Sequence, residues 1–401
     1  MNRDPGFRRW LALGAVTVII GACSAGATTA PSAAAPAASA AAGGSSAAPA
    51  ASAAAPAAST TGSTSGKQYT IGYSNGAGVG NGFREEEMCT ARAQALVSGQ
   101  VSQITVISRN TDAAGQLQDI RDLIAKGVNA IIVNPNDPTA LNPALEQAHS
   151  AGIVTVSVDS YVTDPNTYNV HNNQVEYAYL GAKWLFQQMG GKGNVYYMRG
   201  LAGNSADSDR NIGFQKALAE FPNIKVLPNN QGVFTGWDPA TATKLINDWI
   251  ASGQYNNTQG IWTSGMDSMV VDAIKSAGKP FVPIVGADLG AFVHQLLDTK
   301  DYPGLKGIAV QNTAAVGGAG VTVALKLLEG QKVQTDPSAS QPNTVQLTPV
   351  AADNTSAAGI AMLQSWQSIQ GLNSQWPLSV TIPDWTTYTA AQAIACKGPG
   401  E

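Results

Sequence analysis

IVTVSVDSY (153–161) is a run of small and β-branched apolar residues that stops on a carboxylate, Asp159. PIVGADLG (283–290) repeats the pattern and stops on Asp288. Uncharged runs of small and β-branched residues like these read as strands buried on both faces, as in a parallel sheet. An acid at the carboxyl end of such a strand has left the core for the rim, where ligands of open α/β sheets bind. Each acid alone reads equally well as the N-cap of the helix that follows. The same placement in two separate halves of the chain favours ligand binding for the pair.

Strands and amphipathic helices alternate around these two runs. Strands at 69–74, 102–108, 129–133 and 153–158 alternate with helices at 83–97, 115–126 and 139–151. In a second series, helices at 174–189, 206–220, 239–252, 267–277 and 290–298 interleave with strands at 194–198, 224–229, 260–262, 282–287 and 307–311. A helix at 314–329 closes it. This spacing predicts an α/β protein of two doubly wound parallel-sheet lobes. With 401 residues, 44% of them hydrophobic, the chain is long enough for two cores.

Arg3, Arg8 and Arg9 precede WLALGAVTVIIGA (10–22), an uncharged apolar stretch too short to span a bilayer, which runs directly into Cys23. Residues 1–23 resemble a lipoprotein signal in which Cys23 becomes the lipidated first residue of the mature chain. Ile20 stands where that pattern usually has Leu, and an ordinary cleaved signal is the alternative. Residues 24–66 are Ala, Ser, Pro, Gly and Thr without a charge, the composition of a disordered tether. Anchor and tether together place the following domain beside a membrane, outside the cytoplasm. Cys89 and Cys396 then remain, an even number in an oxidising compartment, and are expected to pair, two free thiols being the alternative. The net charge is −4 with no basic run, which argues against nucleic acid as a partner.

The segments NTDAAGQLQDIRDLIAKGVNAIIVNPNDPTAL (110–141), VDSY (158–161), GNSADSDRNIGF (203–214), GVFTGWDPATA (232–242), GMDSMVVDAI (265–274), VGADLG (285–290) and AVQNTAAVGGAG (309–320) follow one another in a telling order. That order resembles the ribose-binding-like branch of the type I periplasmic binding proteins, the sugar-binding lipoproteins of ABC transporters, over roughly residues 69–350. The loop GNGFRE (80–85) is closer to galactofuranose-binding-like members, because an Arg directly follows the aromatic. The resemblance implies two lobes joined by three crossovers, near Asn172, near Gln311 and at 347–350, that close over one sugar. The first lobe would comprise 69–172 and 311–349, the second 173–310, and 350–401 would be an extension packed on the first lobe.

By the same resemblance Asp159 grips sugar hydroxyls, with Ser160 standing where the family commonly has Arg. Phe83 is the stacking aromatic, Arg84 the donor beside it, and Asn81 and Asn75 line the same loop. From the second lobe come Arg210, a second ring at Trp237, and Asp288, while Gln311 turns its amide to the ligand from the hinge. Met266 occupies a position where members often have Asn, which implies a more apolar pocket at that end, since a thioether cannot replace an amide's hydrogen bonds. Asp267 is expected to cap the helix it opens. These residue types suit a sugar: carboxylates make charge-assisted bonds to hydroxyls, Arg offers a planar fork of donors, and aromatic rings cover C–H faces.

The expectation is a monomeric, non-enzymatic solute-binding protein that takes a monosaccharide or polyol by hinge closure and passes it to an ABC-type permease. No cofactor or metal is implied. A sensor of the same fold that serves a membrane receptor is the alternative. His149, His171 and His294 are scattered, and HExxH does not occur. A glycosidase using the two aspartates as acid and base is the remaining enzymatic reading. GAGVGNG (76–82) does not spell the GxGxxG of a dinucleotide site.

Overall fold

The computed structural model describes residues 66–76 and 80–401. The expected signal with Cys23 and the tether up to residue 65 lie outside the described residues.

The chain builds one lobe as β1 (Tyr69–Asn75), α1 (Gly82–Ser98), β2 (Val101–Ser108), α2 (Ala113–Ala125), β3 (Ala130–Asn134), α3 (Asn142–Ser150), β4 (Val154–Val158) and β5 (Tyr168–Asn172). It crosses into a second lobe with α4 (Gln174–Gln188), β6 (Lys192–Arg199), α5 (Ser205–Glu220), β7 (Asn223–Leu227), β8 (Val233–Phe234) and α6 (Pro239–Ala251). That lobe continues with β9 (Gly260–Trp262), α7 (Asp267–Ser276), β10 (Ile284–Ala287), α8 (Gly290–Leu297) and β11 (Gly307–Val310). The chain returns to the first lobe for α9 (Val316–Leu328) and β12 (Thr344–Leu347) and crosses again for β13 (Ala351–Asp353) and α10 (Ala357–Trp366). It finishes as α11 (Ala390–Ala395), packed on α1.

The first sheet is parallel throughout, in the order β12-β5-β4-β3-β1-β2. The second runs β13-β11-β10-β9-β6-β7, with β8 beside β6, and is parallel except for β13, which pairs antiparallel to β11. The apolar runs behave as their composition dictates. In β3, Ala130 and Ile132 enter one core cluster while Ile131 and Val133 enter another on the opposite face. In β6, Tyr196 and Met198 face one side and Val195 and Tyr197 the other. Two doubly wound lobes follow from strands with no polar face to leave in water.

Two strands escape the alternation rule. β5 carries Asn169 and His171, both buried, and β12 is a four-residue edge. Asn169 accepts hydrogen bonds from the Ser157 hydroxyl at 2.5 Å and the Val162 amide at 3.0 Å, so its polarity is satisfied locally inside the sheet.

The C-terminal extension departs from the expected placement. Residues 351–366 belong to the second lobe: β13 covers the open edge of β11, and Leu363 of α10 is buried in that lobe's core. An uncovered edge strand is a pairing template, and β13 replaces the β11 edge by one of only three residues. Only afterwards does the chain reach the first lobe, where Ile382 joins the sheet core and Val380, Tyr388 and Ala393 cluster with Ala93 of α1. There Cys396 is joined by a disulfide to Cys89. The extension is thus a fourth passage between the lobes.

α1 and α9 lie unusually close because α9 presents Gly317 to α1. A Cβ on Gly317 would stand 2.0 Å from the Glu87 carbonyl oxygen, so no larger residue fits there.

Candidate functional site

The carboxyl ends of both sheets open on a cavity of about 310 Å³ between the lobes. At the tip of β4, Asp159 has a left-handed backbone (φ 61°), which Asp tolerates better than most residues and which turns its carboxylate off the strand into the cavity wall. One oxygen, Oδ2, accepts a bond from Asn134 Nδ2 at 3.4 Å, while Oδ1 is buried without a partner. Across from the strand tip, Asn81 caps α1 by accepting from the Arg84 amide at 3.1 Å. The cap starts the helix so that Phe83 and Arg84 both line the cavity. Arg84 is buried, its Nη1 reaching Asn75 Oδ1 at 3.4 Å and the Asn134 carbonyl at 3.5 Å, and its Nη2 has no partner. Asp159 Oδ1 and Arg84 Nη2 are thus an acceptor and a donor each buried without a partner, and each carries a desolvation cost.

The second lobe supplies Arg210 and Trp237. Arg210 donates through Nε to Gln174 Oε1 at 2.8 Å and through Nη1 to the Ser264 hydroxyl at 2.9 Å, and its guanidinium lies 4.3 Å from the centre of the Tyr177 ring. Trp237 also has a left-handed backbone (φ 53°), a costly conformation for a bulky residue. Its indole Nε1 donates to the Ser264 hydroxyl at 3.2 Å, and the ring covers Gly200, where a Cβ would come within 2.2 Å of the indole. Met266 is buried and lines the cavity beside them.

Three expected site residues stand elsewhere. Asn75 is fully buried and does not line the cavity; it donates to the Arg84 carbonyl at 3.0 Å and so positions Arg84. Gln311 gives its backbone amide to the Val350 carbonyl, and the neighbouring Asn312 faces the cavity in its place. Consecutive side chains on an extended segment point to opposite sides, so a shift of one residue decides which amide a ligand meets. Asp288 lies outside the cavity lining, fully buried, with Oδ1 accepting the Asn312 amide at 2.9 Å and Oδ2 the Ser379 hydroxyl at 2.6 Å. The C-terminal extension has taken the partner position on this acid, so the two strand-end aspartates do not share the cavity. Asp267, expected as a cap, instead accepts the Ala287 amide at 2.7 Å and the Ser268 amide at 2.9 Å.

Sequence reasoning also missed Ser264, Leu289, Gln375 and Pro377 among the lining residues. Ser264 follows β9 directly, so its strand-end position was a usable signal. Nothing local to the extension marks Gln375 or Pro377.

Behind Asp159 stands a second buried carboxyl. Glu87 Oε2 accepts from the same Asn134 amide at 2.7 Å. Burial first, and the Asp159 charge next, push the Glu87 pKa up to about 8. Burial also raises that of Asp159, opposed by the Arg84 and Arg210 guanidinium charges. With a pKa of about 8, Glu87 keeps its proton at neutral pH.

The lobes touch around the cavity. The Ser160 hydroxyl donates to Asn204 Oδ1 at 3.0 Å, Asn204 Nδ2 to the Pro135 carbonyl at 3.0 Å, and the Tyr161 amide to the Ser205 hydroxyl at 3.0 Å. Asn81 Nδ2 reaches the Trp237 carbonyl at 3.2 Å. The structure is thus a closed one, with a chamber between two clasped halves.

Residues 71–332 match the family profile of the periplasmic binding protein domain. The chain belongs to the periplasmic binding protein family. This is a family of solute binders rather than enzymes, and it works outside the cytoplasm. Within it, the chain is similar to a xylitol-binding protein of Mycolicibacterium smegmatis, 31% identical over 232 residues that cover 57% of this chain and 65% of the relative. It is 25% identical to a ribose import binding protein of Bacillus subtilis over 280 residues, 67% of this chain and 84% of that protein. Among solved structures, an ABC transporter solute-binding protein from Thermobispora bispora superposes with a TM-score of 0.67 at 28% identity, covering 77% of this chain and 90% of that one.

Proposed function

We infer that this periplasmic binding protein captures a monosaccharide or polyol in the chamber between its lobes and delivers it to an ABC-type permease. The observation that carries the reading is that Asp159 and Arg84, an acid and a base each with a buried polar atom left without a hydrogen bond, line the same cavity. An acid and a guanidinium lining one cavity suit a ligand's hydroxyls, and the Phe83 and Trp237 rings suit the C–H face of the same molecule. The xylitol and ribose binding of its relatives points to the same ligand class. Asn81, Arg210 and Asn312 complete the polar lining, and Asn75 holds Arg84 in place. Cys23, lipidated, would keep the protein at the membrane beside its permease, and the disulfide suits an oxidising compartment. Binding to the closed form alone lets a ligand drive closure, because only differential affinity shifts a two-state equilibrium.

A thermal-shift screen of pentoses, hexoses and alditols, followed by calorimetry on each hit, tests this reading. At least one member should raise the melting temperature and bind one to one. A protein indifferent to the whole panel would refute it.

A further inference from the structure

The polar end accounts for only part of the cavity. Ser264, held by Arg210 and Trp237, stands just ahead of α7, and the lining continues down that helix through Met266, Met269 and Asp272. Steps of three residues keep side chains on one helix face, and six residues at 1.5 Å each carry this wall about 9 Å from its start. Met266 is buried, Met269 half-buried and Asp272 exposed, so a groove begins inside the chamber and ends at solvent.

The facing wall is Leu289 together with Gln375 and Pro377 of the C-terminal extension. That wall is fixed in place. The Gly290 amide donates to the Trp376 carbonyl at 3.0 Å, the Ala291 amide to the Ser374 carbonyl at 2.6 Å, and the Leu378 amide to the Asp288 carbonyl at 2.9 Å. Leu289 and Pro377 form an antiparallel bridge. On the other side the Gln375 carbonyl rests on Gly82, where a Cβ would come within 2.2 Å of it.

The chemistry changes along this length. Around Asp159 and Arg84 the lining is charged, whereas Met266, Met269, Leu289 and Pro377 offer side chains with no strong donor or acceptor. A hydroxyl laid against these four side chains would lose its water without replacement, while each buried methylene would gain about fourfold in affinity. We propose that the ligand is a substituted sugar or polyol, such as an alkyl or aryl glycoside, whose hydroxylated part sits at Asp159 and Arg84. Its apolar substituent lies in the groove between α7 and the C-terminal extension and points toward Asp272. This rests on the proposed function and narrows it.

The test is calorimetry on the full chain with D-ribose, D-galactose and xylitol beside ethyl β-D-ribofuranoside and ethyl β-D-galactofuranoside. At least one ethyl glycoside should bind about tenfold or more tightly than its parent sugar. Met269→Trp, which fills the groove, should weaken that glycoside by tenfold or more and its parent less. Met269→Gln, of nearly unchanged size, should do the same to a smaller extent and covers the case in which the tryptophan variant fails to fold. Free compounds that bind as tightly as the ethyl glycosides, or a glycoside affinity unmoved by either variant, would overturn the groove while leaving the sugar site standing. Failure of all five compounds to bind would overturn both.

Discussion

Asp159 illustrates how much a single side chain can owe to its neighbours. Its carboxylate is held between Asn134 and two arginines and keeps one oxygen free. A hydrogen bond to a charged group contributes about 1.5–3 kcal/mol, so Asp159→Ala should weaken binding by about tenfold to a hundredfold. The fold should survive, because the side chain lies at a strand tip and not in the core; calorimetry and a melting curve together check this. Glu87, behind it, has a different signature. Its folded pKa of about 8 lies above the ordinary carboxyl value, so the folded state retains a proton that the unfolded chain gives up. Stability should then fall as pH rises from about 4.5 to about 8. Glu87→Gln removes that term, and the variant should melt higher than the wild type at pH 8, the gap closing toward pH 5. Equal melting temperatures at both pH values would show that Glu87 is not the group responsible. Neither behaviour was legible from EEE at 85–87, which reads as a solvated first helical turn, whereas Glu86 and Glu87 are both buried and α9 approaches the Glu87 backbone closely at Gly317.

Among the elements, the C-terminal extension alters the fold most. It closes the second sheet with β13, occupies Asp288 through Ser379, forms one wall of the cavity, and ends in a disulfide on α1. The cross-link spans 307 residues, and loops of such length give disulfides their largest entropic effect on the unfolded chain. Cys396→Ser should therefore cost about 2–4 kcal/mol of stability, seen as a lower melting temperature by calorimetry without reductant. An unchanged melting temperature would mean that the packing of Ile382 and Tyr388 alone holds the extension down. The regular elements were readable beforehand because their signals are local: apolar runs and a short reach between strand and helix. β5, β12 and β13 were not, since their buried polar residues or short length are stabilised by partners far along the chain.

In the whole molecule, closure is a matter of a few bonds across the cleft. Asn204 makes two of them, to Ser160 and Pro135, yet does not line the cavity. Asn204→Ala should weaken ligand binding by about tenfold, roughly the two neutral hydrogen bonds lost from the closed form, mainly through faster dissociation. Surface plasmon resonance would separate the rates, and small-angle scattering of the unliganded variant should report a larger radius of gyration than the wild type. Unaltered kinetics would assign closure to the hinge instead. The two lobes were written into the order of strands and helices, because a strand apolar on both faces is central to a covered sheet, whereas the crossings came from the family resemblance. The same logic set Asp159 at a strand-end rim, while Phe83 and Arg84 were singled out by the family resemblance. Which acid stays free was decided only by tertiary structure. Asp159 and Asp288 end equivalent strands, but a serine 91 residues downstream reaches one and not the other. Contacts between such distant segments depend on how the chain closes on itself and leave no periodic trace in the residues that make them.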